Sequence, residues 1–259
     1  KFQLGCRMFR GGVIVPFVGD TRLILQKGMS GATGNYYCGL HEFQEMGFLL
    51  HFLREGDVFA DIGANVGSYS ILSSGVCGAE SYSFEPCSST YQRLCDNIRI
   101  NDLLDSIQVF QKAAGAKNTT LRVTESYDTT NHILLETDRS EEGVEVSVIP
   151  LDVVFRDTTP LLIKIDVEGF ETEVVKGAAN TLCKKECKAL IMEVGGGVRY
   201  GFDENALHSK IVEYGFEPCV YDPFTRALVK SNQNHSANAL FIKDCDFVNE
   251  RLRGAQKRW

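Results

Sequence analysis

The chain has 259 residues, and its 44% hydrophobic and 24% charged residues are typical of a folded globular protein rather than a disordered or fibrous one. Its net charge of −7 argues against broad binding to nucleic acid or to an anionic membrane surface. The nine cysteines are irregularly spaced without a paired Cys-x-x-Cys motif, and no apolar run reaches the roughly 20 residues of a membrane span, so we expect free thiols, no zinc site and a cytoplasmic location.

The predicted elements form one α/β domain with a short extension at each end. Short apolar runs among glycines predict an amino-terminal β-rich extension over residues 1–40. Apolar residues at helical spacing predict a helix over residues 42–53, at the start of a main domain that covers residues 41–245. Within that domain residues 116–149 predict a β insertion, and residues 246–259 predict a basic, solvated tail.

Strand-like and helix-like segments alternate through the main domain, and this order is typical of a mostly parallel sheet with helices on both faces. Ligands of such sheets bind beyond the carboxyl ends of the strands. Four predicted strands end in a carboxylate, at Asp61, Glu85, Asp166 and Glu193. Because an unpaired carboxylate is costly to bury, four of them at strand ends predict a binding site rather than a core.

The turn after the first strand of the main domain carries the cofactor signal. Gly63 and Gly67 give it the pattern acidic-x-Gly-x-x-x-Gly, whereas a dinucleotide site needs Gly-x-Gly-x-x-Gly. Glycine lets the backbone approach a ligand closely, and Asn65 lies in the same turn. S-Adenosylmethionine carries no phosphate; Asp61 suits its positive amino-acid end, and Glu85 suits its two ribose hydroxyls. We therefore predict an S-adenosylmethionine site rather than a nicotinamide site.

Several segments together resemble the FkbM-type methyltransferase family, from residue 36 to residue 243. They are Asp61-Ile62-Gly63-Ala64-Asn65-Val66-Gly67, Phe84-Glu85-Pro86, Asn97-x-x-x-Asn101, Pro150-Leu151-Asp152, Ile163-Lys164-Ile165-Asp166-Val167-Glu168-Gly169-Phe170-Glu171, Gly177-Ala178, Glu193 and Asn238. The resemblance implies a Rossmann-like class I methyltransferase fold, with a seven-stranded sheet that has one antiparallel strand near its edge. It also implies S-adenosylmethionine-dependent O-methylation of a sugar hydroxyl or another natural-product hydroxyl. Glu42 resembles the upstream acidic residue of that family.

The chemistry of methyl transfer to a hydroxyl predicts roles for the acidic residues. A hydroxyl is a poor nucleophile at neutral pH, so a general base is useful. We expect Asp166, which also borders the cofactor, or Glu193 to orient or deprotonate the acceptor. We expect Glu168 and Glu42 to shape the pocket. His132, in the insertion, is the histidine expected to face the acceptor, with a structural or exposed histidine as the alternative.

Some roles stay open at the level of the sequence. The clustered carboxylates could instead hold Mg²⁺, although their spacing is not diagnostic and we predict no metal. Lys164 either pairs with one of the acids or reaches solvent. Glu168 and Glu171 could instead stabilise the first turn of a helix through its dipole. Dimerisation of the chain through its amino-terminal hairpin is a further open alternative.

Other functions fit the sequence less well. Enzymes that methylate nitrogen in nucleic acid usually carry an Asn/Asp-Pro-Pro-aromatic run to hold a flipped base, and Asp166-Val167-Glu168-Gly169 stands there instead. N-methylation of protein, a nicotinamide dehydrogenase and a non-catalytic cofactor-binding module are the remaining alternatives. The predicted partner is a small, sugar-like hydroxyl acceptor, with neither nucleic acid nor membrane as a partner.

Overall fold

The computed structural model describes residues 12–26, 29–124, 131–135, 138, 142–231 and 237–256, so residues 1–11 of the predicted extension lie outside the described residues. Its strands are β1 (Val13–Pro16), β2 (Arg22–Leu25), β3 (Val58–Ile62), β4 (Glu80–Phe84), β5 (Ile107–Phe110), β6 (Ala113–Ala114), β7 (Thr119–Val123), β8 (Val144–Ile149), β9 (Leu162–Ile165), β10 (Ala189–Glu193), β11 (Glu217–Asp222), β12 (Ala227–Lys230) and β13 (Asn238–Ile242). Its helices are α1 (Ser30–Cys38), α2 (Phe43–Phe52), α3 (Ser68–Ile71), α4 (Ser88–Ile100), α5 (Leu151–Val154), α6 (Glu171–Lys176), α7 (Ala179–Cys183), α8 (Glu204–Glu213) and α9 (Cys245–Arg253). A π-helical turn at Leu72–Val76 extends α3, and a 3₁₀ turn lies at Gly197–Tyr200.

The centre of the fold is an eight-stranded sheet in the order β12-β11-β13-β10-β9-β3-β4-β5. Its strands β10, β9, β3, β4 and β5 pair in parallel, and β13 runs antiparallel to both of its neighbours. This arrangement confirms the predicted α/β class of fold. The carboxyl ends of the parallel strands share one edge of the sheet, which is where such folds bind ligands.

The sheet has one strand more than the seven predicted, because β12 pairs antiparallel with β11. The Asp222 carboxylate stabilises the connecting turn by accepting hydrogen bonds from the Phe224 backbone N–H at 2.9 Å and from the Thr225 hydroxyl at 2.7 Å. Two strands rather than one therefore run against the parallel set. β12 is mostly exposed at the sheet edge, so it lacks the inward-facing apolar alternation by which a strand is recognised from sequence.

Helices cover both faces of the sheet, and the hydrophobic core is divided between those faces. Along β9, Leu162 belongs to one cluster and Ile163 to the other, as the alternation of side chains along a strand requires. The first cluster includes residues of α2 and α9, and the second includes residues of α6, α7 and α8. The edge formed by the strand ends is left accessible between these layers.

The amino-terminal segment pairs β1 with β2 and then forms α1, so the predicted β-rich extension also contains a helix. Glycines within α1 lower its helical propensity, so the sequence pattern does not predict this helix. Asn97 Oδ1 accepts a hydrogen bond from the Ile24 N–H at 2.7 Å, and Asn101 Oδ1 accepts one from the Arg22 N–H at 2.8 Å. Asn97 of α4 and Asn101, which caps the end of that helix, therefore brace the hairpin.

The insertion between β5 and β9 forms its own small sheet. β7 and β8 pair antiparallel within the predicted β insertion, and β6, which precedes it, pairs with β8 in parallel. This sheet follows directly after β5 in the sequence.

Over its described residues, 246–256, the carboxyl-terminal segment is not the solvated tail that was predicted for residues 246–259. Residues 257–259 lie outside the described residues. Residues 245–253 form α9, in which Val248 and Leu252 are fully buried. The Arg251 guanidinium donates to the Phe52 carbonyl at 3.0 Å and pairs with the Asp57 carboxylate. The prediction was wrong because the basic composition masked an apolar pair four residues apart, the spacing of one helix face.

Two sequence-wide properties can be compared with the structure. Across the described parts of the chain, no helix combines the length and the apolar character needed to cross a membrane. The eight cysteines within those parts carry free thiols, as the irregular spacing predicts.

Candidate functional site

A cavity of about 370 Å³ opens at the carboxyl ends of the parallel strands. The four strand-end carboxylates, Asp61, Glu85, Asp166 and Glu193, all line it, so the structure brings together the residues that the sequence singled out. Glu42, Gly63, Asn65, His132 and Glu168 line it as well. A concave space of this volume with convergent polar groups is typical of a small-molecule site.

Gly67 is the one predicted site residue that does not line the cavity. Its φ is +88°, and a Cβ there would lie 2.5 Å from the Leu94 Cδ1 of the neighbouring helix. A glycine is therefore needed for the backbone turn and for packing against α4, not for contact with a ligand. In the same turn, Asn65 adopts a φ of +50°, and its side-chain oxygen accepts a hydrogen bond from the Val66 N–H at 2.8 Å.

Asp61 is the penultimate residue of β3 and is buried, with 1% of its surface exposed. Its Oδ2 accepts a hydrogen bond from the Ser70 hydroxyl at 2.6 Å. Its Oδ1 is also buried, and among the described residues it has no hydrogen-bond partner. Burial raises the pKa of this carboxyl, an effect that Lys164 opposes. A buried carboxylate oxygen without a donor is unfavourable, so a cationic or hydrogen-bond-donating ligand group would stabilise it.

Glu85 follows directly after β4, on the neighbouring side of the cavity. Its two oxygens accept hydrogen bonds from the backbone N–H groups of Asn65 at 3.1 Å and Cys87 at 2.9 Å. Burial raises its pKa to about 7 in spite of these bonds. The bonds fix the carboxylate between the glycine turn and the start of α4, where it faces the cavity as an acceptor.

Asp166, Glu168 and Glu193 form an acidic cluster, in which one oxygen from each lies within 4.8 Å of the others. Glu193 Oε2 accepts a hydrogen bond from the Glu168 backbone N–H at 3.1 Å. Burial, followed by the charge of Asp166, raises the pKa of Glu168 to about 7 and that of Glu193 to about 9. Groups this close do not all ionise at neutral pH, so the acidic cluster can hold a proton or share a cation.

The loop after β9 sets the position of that cluster. Glu168 has a φ of +55°, and α6 begins only at Glu171, so the alternative in which Glu168 stabilises the first turn of a helix is wrong. Glu171 does lie in that first turn. Its Oε1 accepts hydrogen bonds from the N–H groups of Val167 at 3.1 Å and Gly169 at 3.2 Å. Glu171 therefore holds the backbone of the loop that presents Glu168.

Lys164 pairs with an acid rather than reaching solvent. It is 3% exposed, and its Nζ donates to Asp166 Oδ2 at 2.6 Å. Nearby, Glu42 is held from two sides: its Oε2 accepts from the Tyr69 hydroxyl at 2.6 Å and its Oε1 from the Asn238 side-chain N–H at 2.7 Å. Sequence reasoning gave Tyr69 no role, since its position two residues after Gly67 carries no polar pattern of its own.

The insertion forms part of the wall of the cavity through Val123, His132 and Ile133. The Tyr200 hydroxyl, in the 3₁₀ turn after β10, donates to the Ile133 carbonyl and accepts from the Ile133 N–H, both at 3.1 Å. Arg199 forms a further ion pair with Asp138 at 3.1 Å. Two segments that are far apart in sequence are thus joined beside the cavity, and His132 is among the residues that line it.

Comparison with known proteins supports one family. The model of the methyltransferase FkbM domain matches residues 61–240. The hexuronic acid methyltransferase AglP of Haloferax volcanii is 30% identical over 161 residues, which cover 58% of this chain and 61% of that protein. The chain therefore spans less than two thirds of the length of this relative.

Solved structures are similar in fold. A methyltransferase FkbM from Methylobacillus flagellatus KT has a TM-score of 0.51 at 19% identity, covering 72% of this chain and 43% of that one. A precorrin-6y C5,15-methyltransferase from Geobacter metallireducens GS-15 has a TM-score of 0.46 at 12% identity, covering 85% of this chain and 92% of that one. At these identities the first likeness supports the fold alone.

Proposed function

The chain belongs to the FkbM methyltransferase family, and from this premise we propose that it transfers a methyl group from S-adenosylmethionine to a hydroxyl of a sugar or sugar-like molecule. The observation that carries the proposal is the acidic cluster of Asp166, Glu168 and Glu193, which lies in the same cavity as the cofactor-type carboxylates Asp61 and Glu85.

The cofactor half of the cavity fits S-adenosylmethionine. The buried Oδ1 of Asp61, which has no partner among the described residues, suits a cationic amino-acid end. Glu85, fixed by two backbone N–H groups, suits a pair of ribose hydroxyls. When bound there, S-adenosylmethionine supplies a methyl group already activated by its sulfonium. The protein has then to orient the acceptor oxygen and remove its proton, and alignment alone lowers the barrier substantially.

The acidic cluster supports a hydroxyl as the acceptor. A hydroxyl loses its proton as its oxygen takes the methyl group, so a base of raised pKa close to the working pH is useful. Burial and neighbouring charges raise the pKa of Glu193 to about 9, and we propose that Glu193 takes this proton. Asp166, held by the Lys164 ammonium, orients the acceptor, and Glu168 and Glu42 shape the pocket. His132 contacts the acceptor from the insertion.

The charge of the cavity also favours a hydroxyl over a carboxylate acceptor. Six carboxylates line the cavity: Glu42, Asp61, Glu85, Asp166, Glu168 and Glu193. A carboxylate acceptor needs no base, and it would be repelled by those carboxylates of the wall that are ionised. The relative that is named for hexuronic acid supports a sugar as the acceptor, and the charge supports a hydroxyl of that sugar as the methylated group.

Calorimetric titration with S-adenosylhomocysteine, with NAD as the control ligand, tests the cofactor half. Micromolar binding that is weakened about tenfold or more by Asp61→Asn and by Glu85→Gln is the expected result. A folded protein that binds neither ligand would overturn the proposal. For the acceptor half, transfer of a labelled methyl group to methyl glucoside and to methyl glucuronide is compared, and the product is mapped by NMR.

The position of the transferred methyl group separates the alternatives. An ether at a ring hydroxyl supports the proposal, and a methyl ester at the uronate carboxylate contradicts it. Methylation of nitrogen in RNA or in a lysine-rich protein, run as parallel reactions, would also contradict it. Glu193→Gln and Asp166→Asn are the matched variants, because each keeps the size of the side chain and removes its charge; unchanged turnover would remove that residue from the mechanism.

A further inference from the structure

Lys164 is a buried cation in a cavity walled by carboxylates. It lies in the middle of β9, in register with Asp61 of β3, so both side chains lie on the same face of the sheet. Its Nζ donates to Asp166 Oδ2 at 2.6 Å and lies 4.8 Å from the centre of the Tyr69 ring. The Tyr69 hydroxyl in turn donates to Glu42. Lys164 therefore lies between the acids of two separate segments of the chain.

The charge of Lys164 is fixed by these surroundings. Burial lowers its pKa, but the carboxylates around it, first that of Asp166, raise it to above its usual value. The ammonium stays charged across the physiological range and cannot act as a proton acceptor. Among the described residues that line the cavity, it is the only buried lysine or arginine.

Stability alone is a weak explanation for such a group. A buried ion pair that is replaced by apolar residues of similar size often leaves a protein as stable as before, since the cost of desolvating two charges is removed. What an apolar residue cannot supply is a directional bond that fixes a carboxylate. We propose that Lys164 is a positioning residue, which holds Asp166, and through Tyr69 the side chain of Glu42, in the orientation that receives the cofactor and the acceptor.

This inference rests on the proposed function and is tested by its own cycle of variants. S-Adenosylhomocysteine is titrated into the wild type, Lys164→Met, Asp166→Asn and the double variant, with Lys243→Met as the control. Lys243 is also partly buried and donates to the Leu182 carbonyl at 2.7 Å, but it does not line the cavity. Binding to the control should match that of the wild type.

If Lys164 acts through Asp166, each single variant should bind S-adenosylhomocysteine about tenfold or more weakly than the wild type. The double variant should then have about the same affinity as the single variant that binds less tightly. The inference would be overturned if the loss of affinity in the double variant equalled the product of the losses in the two single variants. It would also be overturned if folded Lys164→Met bound S-adenosylhomocysteine within about threefold of the wild type. A purely structural role would lower the melting temperature without producing this non-additivity.

Lys164→Met leaves the half-buried Asp166 carboxylate without its cation and can therefore fail to fold. If Lys164→Met does not fold, Lys164→Arg is titrated in its place, because arginine keeps the positive charge while the geometry of the donor changes. Weakened binding by folded Lys164→Arg supports positioning, and wild-type binding contradicts it. The wild-type titration separates the two proposals: if the wild type does not bind the ligand, both fail, whereas wild-type binding with unaffected variants overturns only the role of Lys164.

Discussion

Gly63 lies so close to Asp166 that a Cβ atom on the glycine would approach the Asp166 carbonyl oxygen to 1.8 Å. The glycine turn after β3 and the end of β9 are therefore in direct backbone contact. The turn carries the proposed cofactor residues, and the end of β9 carries the proposed acceptor residue. This contact, together with the parallel pairing of β3 with β9, brings the two halves of the site together.

Gly63→Ala should destabilise the protein severely, by about 3 kcal/mol or more, because the obstacle is backbone and cannot move aside. Gly67→Ala is the matched control: its φ of +88° is close to the +83° of Gly63, so it carries the same backbone strain. Its new Cβ meets the end of the Leu94 side chain rather than backbone, and we expect a smaller loss of about 1–2 kcal/mol. Urea unfolding measures both. Equal losses would show that backbone strain, not the contact with Asp166, is the cause.

The sequence predicts the four strand-end carboxylates because parallel strands must bring their carboxyl ends to one edge. It does not predict how Glu42 is fixed, since Tyr69 and Asn238 reach it from positions distant in sequence. Gly67 shows the same limit, because a glycine required for packing and one required for a ligand look alike in a sequence. Pairings of this kind depend on tertiary contacts, which no local pattern encodes.

Asn97 joins the amino-terminal hairpin to the cofactor turn. Its side chain is fully buried, accepting from the Ile24 N–H at 2.7 Å and donating to the Val66 carbonyl at 2.9 Å. Asn97→Ala leaves both backbone groups without that partner, so we expect a loss of about 2–3 kcal/mol in the free energy of urea unfolding. Asn101→Ala, at the more exposed residue that caps the end of that helix, should cost about 1 kcal/mol. If both variants lost the same small amount, Asn97 would not brace the hairpin.

Tyr200 holds the insertion over the cavity by its two hydrogen bonds with Ile133. Tyr200→Phe keeps the ring and removes only the hydroxyl, so about 1 kcal/mol of local stability is lost. Hydrogen exchange should show the Ile133 amide opening about fivefold faster, with the amides of β9 unchanged as the internal control. Unchanged exchange at Ile133 would mean that the wall of the cavity is held by packing and not by this tether.

The raised pKa values of the acidic cluster predict opposite effects of pH on activity and on stability. The pKa values of Glu168 at about 7 and Glu193 at about 9 mean that both carboxyls are protonated in acid and lose their protons as pH rises through those values. Only the ionised form can take a proton, so kcat/KM of the wild type should rise between pH 6 and pH 9.

Stability follows the reverse course, because a carboxyl whose folded-state pKa exceeds its unfolded value of 4.5 favours folding while it is neutral. For Glu193 that contribution is complete below about pH 4.5 and is lost as pH rises through about 9. The side chain of Glu193→Gln is neutral at every pH, so this variant should have a kcat about 100-fold lower than that of the wild type. It should melt at a higher temperature than the wild type at pH 9, and at the same temperature as the wild type at pH 4. A variant that is less stable at pH 9, or that keeps the wild-type rise in kcat/KM above pH 7, would show that Glu193 is not the group that ionises.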